Sequence, residues 1–304
     1  MLPKPPPSPG RLGYLFFPPY RVQGTSIAGE ATAIMVPEFD LCFDIGACHK
    51  AMLTANFVAI THGHMDHVGG LPYYFSQRRF QGMGVGTCIC DKRIEPAIRN
   101  MMRGWVDLEQ QETEHTIIGL EDGQEFEVKK NVFLRAFHVD HTVPCTAYSI
   151  IEKRSKLRPE LAGLPQDELT KRARAGEIIT YDLRVPIITY IGDTLAGPHL
   201  LSDDVCNARI LIMECTFFEN GHKDRAVIGK HIHISDLAEL MPRVKADAIV
   251  LTHISRRTHL GLARTVLNEQ LKKEDAERIH FLMDHRVNRK RFDEQLVEAE
   301  ANAE

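Results

Sequence analysis

The chain has 304 residues, 43% of them hydrophobic and 26% charged, with a formal net charge of −4 at pH 7. That size supports an ample core in one large domain or two small ones, and the charge excludes a global positive field for nucleic acid while leaving room for a local basic patch. The seven cysteines are odd in number and scattered, which argues against a disulfide framework and for reduced thiols in a cytoplasmic protein.

Residues 1–12 are rich in proline, which cannot build the helical apolar stretch of a signal peptide; a loose tail is expected. No apolar run approaches the length that spans a bilayer. Short strands are expected at residues 31–36, 40–44 and 57–61, where β-branched and apolar residues lie between Pro and Gly punctuation. The third runs into Thr61-His62-Gly63-His64-Met65-Asp66-His67. A helix should start near Leu71, with Pro72 in its first turn. Residues 85–90 read as a strand that buries Cys88 and Cys90, and 95–102 as a helix.

A strand over 132–137 leads into His138-Val139-Asp140-His141. Residues 152–176 break the rhythm with many charges, and a polar loop holding a short helix is expected there. Strands follow at 185–191, 210–213, 248–252 and 279–283. Helices follow at 235–244, capped by Ser235, at 258–271 and at 286–304. Two successive β-rich halves suit two sheets covered by helices.

Three imidazoles and a carboxylate directly after a buried strand are costly to pack without a partner, and a metal ion is such a partner. A two-metal hydrolase needs more ligands than one cluster supplies. Four other expected strand ends offer them: His138 or His141, Asp193 after Gly192, His253, and Glu214, which His231 and His233 accompany. Asp193 alone would be explained by an ordinary turn; ligand-type residues at five strand ends are harder to attribute to chance.

These residues also carry a family resemblance. From about residue 13 to 283 the chain resembles the metallo-β-lactamase fold, and within it ribonuclease Z, the tRNA 3′-processing endonucleases, in their short plant-type form. The matching stretches are Thr25-Ser26-Ile27-Ala28-Gly29, Phe43-Asp44-Ile45-Gly46, residues 61–72, His141-Thr142-Val143-Pro144, Gly192-Asp193-Thr194, Glu214-Cys215-Thr216-Phe217, His231-Ile232-His233-Ile234-Ser235 and Leu251-Thr252-His253-Ile254-Ser255. The resemblance implies an α/β fold, a four-layer αββα sandwich of two mixed sheets flanked by helices. It implies one domain over residues 13–284 and a charged C-terminal helix over 285–304.

The resemblance also implies two Zn2+ ions, with Mn2+ or Fe2+ as alternatives. His62, His64 and His141 would hold the first, Asp66, His67 and His253 the second, and Asp193 would bridge them. Asp66, Glu214 and His231 would be catalytic, with a metal-bridging hydroxide attacking phosphorus and His231 protonating the leaving oxygen. His233, Lys153, Arg154 and Arg256 are candidate substrate contacts. The implied substrate is the 3′ end of precursor tRNA; the alternative is a small phosphodiester or other ester. No membrane partner is expected, and a homodimer is expected by analogy. Two features depart from the bacterial pattern: the Gly-Thr-Gly-Ser opening is missing, and the basic insertion at 152–186 corresponds to the base of a tRNA-gripping arm without its extended part.

Overall fold

The computed structural model describes residues 12–302. All but the last residue of the expected N-terminal tail therefore lies outside the described residues. Apolar runs bounded by turns form two seven-stranded sheets. The first contains β1 (Gly13–Phe17), β2 (Tyr20–Ile27), β3 (Ala31–Val36), β4 (Leu41–Phe43), β5 (Phe57–Ile60), β6 (Thr87–Asp91) and β7 (Thr116–Leu120), neighbours in chain order. Its crossovers carry α1 (Met65–Val68), α2 (Leu71–Phe80) and α3 (Glu95–Glu109).

The second sheet contains β8 (Glu125–Lys129), β9 (Val132–Val139), β10 (Cys145–Leu157), β11 (Thr180–Tyr190), β12 (Ile210–Glu214), β13 (Ala248–Thr252) and β14 (Ile279–Phe281). Its connections carry α4 (Gln166–Arg174), α5 (Asp203–Cys206), α6 (Lys223–Gly229), α7 (Ile234–Leu240), α8 (Leu260–Gln270) and α9 (Lys273–Glu277), and α10 (His285–Ala301) follows. Each sheet pairs its first four strands antiparallel and its last four parallel. The same plan is thus used twice, although the sequence shows no repeat.

Strand alternation sorts the side chains into layers. Ile210 and Ile212 join Ala59, Ile89 and Phe43 in the core between the sheets. Leu211 and Met213 point the other way, into the core under Leu237 of α7 and Leu267 of α8. Val58, Ile60, Cys88 and Cys90 face Leu71 and Phe75 of α2 and Ile98 of α3. The result is the expected αββα sandwich. At one outer edge, Phe292 of α10 packs edge-on against Tyr14 of β1, with ring centroids 5.5 Å apart.

The structure changes several expectations. Residues 152–176 are not mainly loop: β10 runs to Leu157 and pairs with β11 from Thr180, so the insertion is a projecting hairpin with α4 at its tip. Its strands extend beyond the body of the sheet and lack a buried face, so no apolar alternation marked them; cross-strand pairs such as Lys153–Asp182 at 2.8 Å stand in its place. Strand β6 starts at Thr87 rather than 85, and α3 continues to Glu109. Ser235 does not cap α7. His233 does, accepting the Ser235 amide while Asp236 accepts the His233 amide. Among the described residues, no helix is long and apolar enough to cross a membrane.

Candidate metal centre

Parallel strands in each half deliver their C-terminal ends to one crevice, the usual place for a site in such sheets. The end of β4 supplies Asp44, and the end of β5 supplies Thr61 and His62. Helix α1 carries Asp66 and His67, with His64 as its N-cap residue. From the second half, the β9–β10 turn brings His141, and the ends of β11, β12 and β13 bring Asp193, Glu214 and His253. Gly46 is needed for this closure, since a Cβ there would stand 1.8 Å from the Asp66 carbonyl oxygen. Gly192 has φ of +68° and lies against Thr61, so the turn before Asp193 has no room for a side chain.

The residues form overlapping groups with ligand atoms within 4.8 Å of one another: His62, His64 and His141; His62, His67 and Asp193; Asp66, His67 and His253; and Asp193, His231 and His253. His62 Nε2 lies 3.0 Å from His64 Nδ1, and His141 Nε2 lies 3.4 Å from the same atom. Asp193 Oδ2 stands between the groups, 3.9 Å from His62 Nε2, 3.4 Å from His67 Nε2 and 3.2 Å from His253 Nε2. Asp66 Oδ2 lies 3.7 Å from His67 Nε2 and 3.5 Å from His253 Nε2. His138 stays out of these groups and faces Asp91 at 3.3 Å.

Each of four rings is fixed by its other nitrogen. His67 Nδ1 donates to Asp44 Oδ2 at 2.8 Å, and His141 Nδ1 to the Lys230 carbonyl at 3.1 Å. Thr61 Oγ1 donates to Asp44, so its contact with His62 Nδ1 at 2.9 Å is accepted from the ring. Likewise Thr216 Oγ1 donates to Glu214 Oε2 at 2.6 Å and accepts from His253 Nδ1 at 3.0 Å. These partners set the tautomers and aim Nε2 inward. The buried Nε2 atoms of His67 and His253 have no hydrogen-bond partner.

Electrostatics point the same way. Burial, with His67 nearby, pushes His62 down to about 2, and burial also lowers His64 and His141, so these rings are neutral donors of lone pairs. Burial opposes ionisation of Asp193, but His253 and His67 outweigh it and hold its carboxyl well below the usual range. Burial opposes charge on His67 too, yet Asp193 and Asp44 outweigh it and raise this ring well above its ordinary value. The cluster therefore demands positive charge, and divalent cations fit the orphaned nitrogens, the carboxylates and the lone pairs better than a proton does.

Glu214 accepts from the Thr194 amide at 3.0 Å and pairs with His231 Nδ1 at 2.7 Å. The His231 ring stacks 5.1 Å from that of His253, leaving Nε2 for the crevice. His233 is buried, with Nδ1 on the Ser235 amide and Nε2 3.1 Å from the Glu219 carbonyl oxygen. Lys153, Arg154 and Arg256 are ion-paired with Asp182, Glu152 and Glu30.

The positioning groups were not singled out from sequence. Asp44 stood in a stretch that matches the family but was given no role; its φ of +54°, shared closely by His253 at +56°, marks backbone held for a purpose. The β2–β3 turn also serves the crevice: the Gly29 amide donates to Asp66 Oδ2 at 2.9 Å, and Ser26 Oγ accepts the His253 amide at 2.9 Å.

Comparison with known proteins bears on the fold and the family. The model of the beta-lactamase superfamily domain matches residues 47–254. Over 241 residues the chain is 31% identical to tRNase Z TRZ1 of Arabidopsis thaliana, covering 78% of this chain and 86% of that protein. The crystal structure of human tRNase Z, short form, superposes with a TM-score of 0.56 at 18% identity, covering 81% of this chain and 93% of that one. Zn2+-bound PqqB from Methylobacterium extorquens superposes with a TM-score of 0.53 at 13% identity, covering 89% and 96%.

Proposed function

The chain belongs to the metallo-β-lactamase superfamily, in its ribonuclease Z-like branch, and from that premise we propose that it is a zinc-dependent endoribonuclease acting on the 3′ end of precursor tRNA. The observation that carries the reading is the pairing of a two-part His/Asp cluster with a Glu214–His231 dyad at its edge. His62, His64 and His141 would hold one ion, Asp66, His67 and His253 the other, and Asp193 would be shared. When bound, such a pair of ions activates water at neutral pH and neutralises charge growing on a phosphoryl group.

The chain's own part in the reaction is orientation and proton supply. Burial disfavours a charged His231, but the Glu214 carboxylate outweighs it and holds the ring up at about 9. His231 therefore carries a proton at neutral pH, on the nitrogen turned away from Glu214. It can pass that proton to a ribose 3′ oxygen, which leaves poorly as an alkoxide. Glu214 is oriented by the Thr194 amide and the Thr216 hydroxyl, which donate to its two oxygens. A homodimer and a cytoplasmic setting belong to the same reading, the latter supported by seven unpaired thiols.

The second reading is a small phosphodiester as substrate. One observation favours it: Lys153, Arg154, Arg158, Arg172 and Arg184 of the projecting hairpin are neutralised by nearby carboxylates. Incubating the zinc-loaded protein with a 3′-extended precursor tRNA and with bis-p-nitrophenyl phosphate separates the two. RNA cleavage that weakens steeply with salt is expected; hydrolysis of the small ester alone would give the second reading its place. His231→Ala should slow cleavage on the order of 10²–10⁴-fold with zinc content unchanged. Loss of zinc in that variant would make His231 a ligand instead.

A further inference from the structure

Two adjacent phenylalanines after β12 face opposite ways. Phe218 is buried in the core beneath α7, its ring tilted against that of Phe281 with centroids 6.0 Å apart. Phe217 is only partly buried, and its ring lies 6.2 Å from that of His231. The Arg225 guanidinium stands over the Phe217 ring at 5.9 Å, and His222 meets the ring edge-on at 6.0 Å. Arg225 Nη1 also contacts His222 Nε2 at 3.2 Å. Among the described residues, Arg225 has no carboxylate partner within ion-pair distance, unlike the hairpin arginines Arg154, Arg158, Arg172 and Arg184. The apolar Val227 and Ile228, 51% and 79% exposed, continue the surface along α6.

A half-open aromatic ring with an unneutralised guanidinium above it has the chemistry of a surface for flat, electron-rich rings carrying phosphate. We infer that Phe217 and Arg225 form a ledge on which a nucleobase stacks, seating the nucleoside whose 3′ oxygen receives the His231 proton. The inference rests on the proposed phosphodiester reading and adds to it a base-binding subsite on the leaving-group side. Stacking on an aromatic side chain strengthens binding on the order of 10-fold per base and tolerates any base. The ledge therefore favours a nucleoside over a bare sugar at this position without selecting a sequence.

The test pairs Phe217→Leu with removal of the base. Zinc-loaded wild type, Phe217→Leu and Arg225→Gln are given a 3′-extended hairpin RNA and its twin lacking the base on the nucleotide that supplies the leaving oxygen. In wild type, base removal should raise KM about 10-fold, in the range of one stacking contact. In Phe217→Leu the two RNAs should differ by less than about twofold, the sign of a direct contact in a double-mutant cycle; Arg225→Gln should give an intermediate gap. An equal base-removal penalty in wild type and Phe217→Leu overturns the ledge, as does a fall in kcat on both RNAs with no coupling, which would mean that Phe217 acts through His231. Affinities of both RNAs carrying a non-hydrolysable methylenephosphonate at the scissile position, measured by fluorescence anisotropy, test the ledge without turnover. A gap in binding that vanishes in Phe217→Leu supports the ledge even if the protein cleaves no RNA, so the two readings fail separately.

Discussion

An imidazole is a metal ligand only when its second nitrogen is told what to do, and in this crevice Asp44 tells His67. The Asp44 carboxylate accepts from His67 Nδ1, from the Thr61 amide and hydroxyl, and from the Tyr190 hydroxyl at 2.8 Å. Asp44→Asn keeps the volume but offers the ring an amide, which can favour the wrong tautomer. Metal affinity should fall about 10–100-fold, the usual scale for such outer partners, as read by chelator competition; an unchanged affinity would remove Asp44 from this role. The cluster from His62 to His67 was legible because ligand-type residues crowd into six positions after an apolar strand. The positioning roles of Asp44, Thr61, Thr216 and Lys230 were not, because a lone carboxylate, hydroxyl or backbone carbonyl has no spacing of its own and acquires meaning only once the fold sets a ring beside it.

Among the elements, α2 shows how the segment beside the His/Asp cluster is braced. Arg78 is 2% exposed, yet its guanidinium reaches the carbonyls of Leu53, Ala55, Met83 and Gly84 and the Asn56 side chain rather than a carboxylate. It ties α2 to the segment that enters β5. Arg78→Met fills the space but strands several buried carbonyls, each costing about 1–3 kcal/mol. A loss of about 3 kcal/mol or more in denaturant unfolding is expected; a loss under about 1 kcal/mol would mean that water takes over the carbonyls. Buried strands such as β5, β12 and β13 were legible from their apolar runs. The hairpin of β10 and β11 was partly hidden because its outer portion pairs without a buried face. The cap of α7 was misplaced by two residues because histidine is not among the residue types that mark a cap, whereas the serine inside the first turn is.

For the whole molecule, a four-layer sandwich was legible from two successive rows of strands and helices, while its doubled pairing plan left no trace in the residues. The doubling matters because each half supplies ligand-type groups to the crevice, so the sheets must stay in register. His280 tests that contact under acid. It lies on β14 with its ring 5.2 Å from Phe17 of β1, and burial, aided by Arg291 and Arg264, pushes it down to about 4. Between about 4 and its ordinary 6.5 the unfolded chain binds more protons than the folded one. Its contribution to the acid penalty is absent above about 6.5, grows as pH falls and is complete below about 4. His280→Gln should flatten the stability–pH curve across that window in urea titrations, and an unaltered slope would deny His280 the effect.

The Tyr190 phenol crosses from the second sheet to a carboxylate of the first, and that carboxylate in turn steers a ring of the crevice. A single proton bridge thereby makes the cohesion of the sandwich and the aim of His67 one cooperative property. Parting the layers at this point would take from Asp44 one of the donors that hold it against His67.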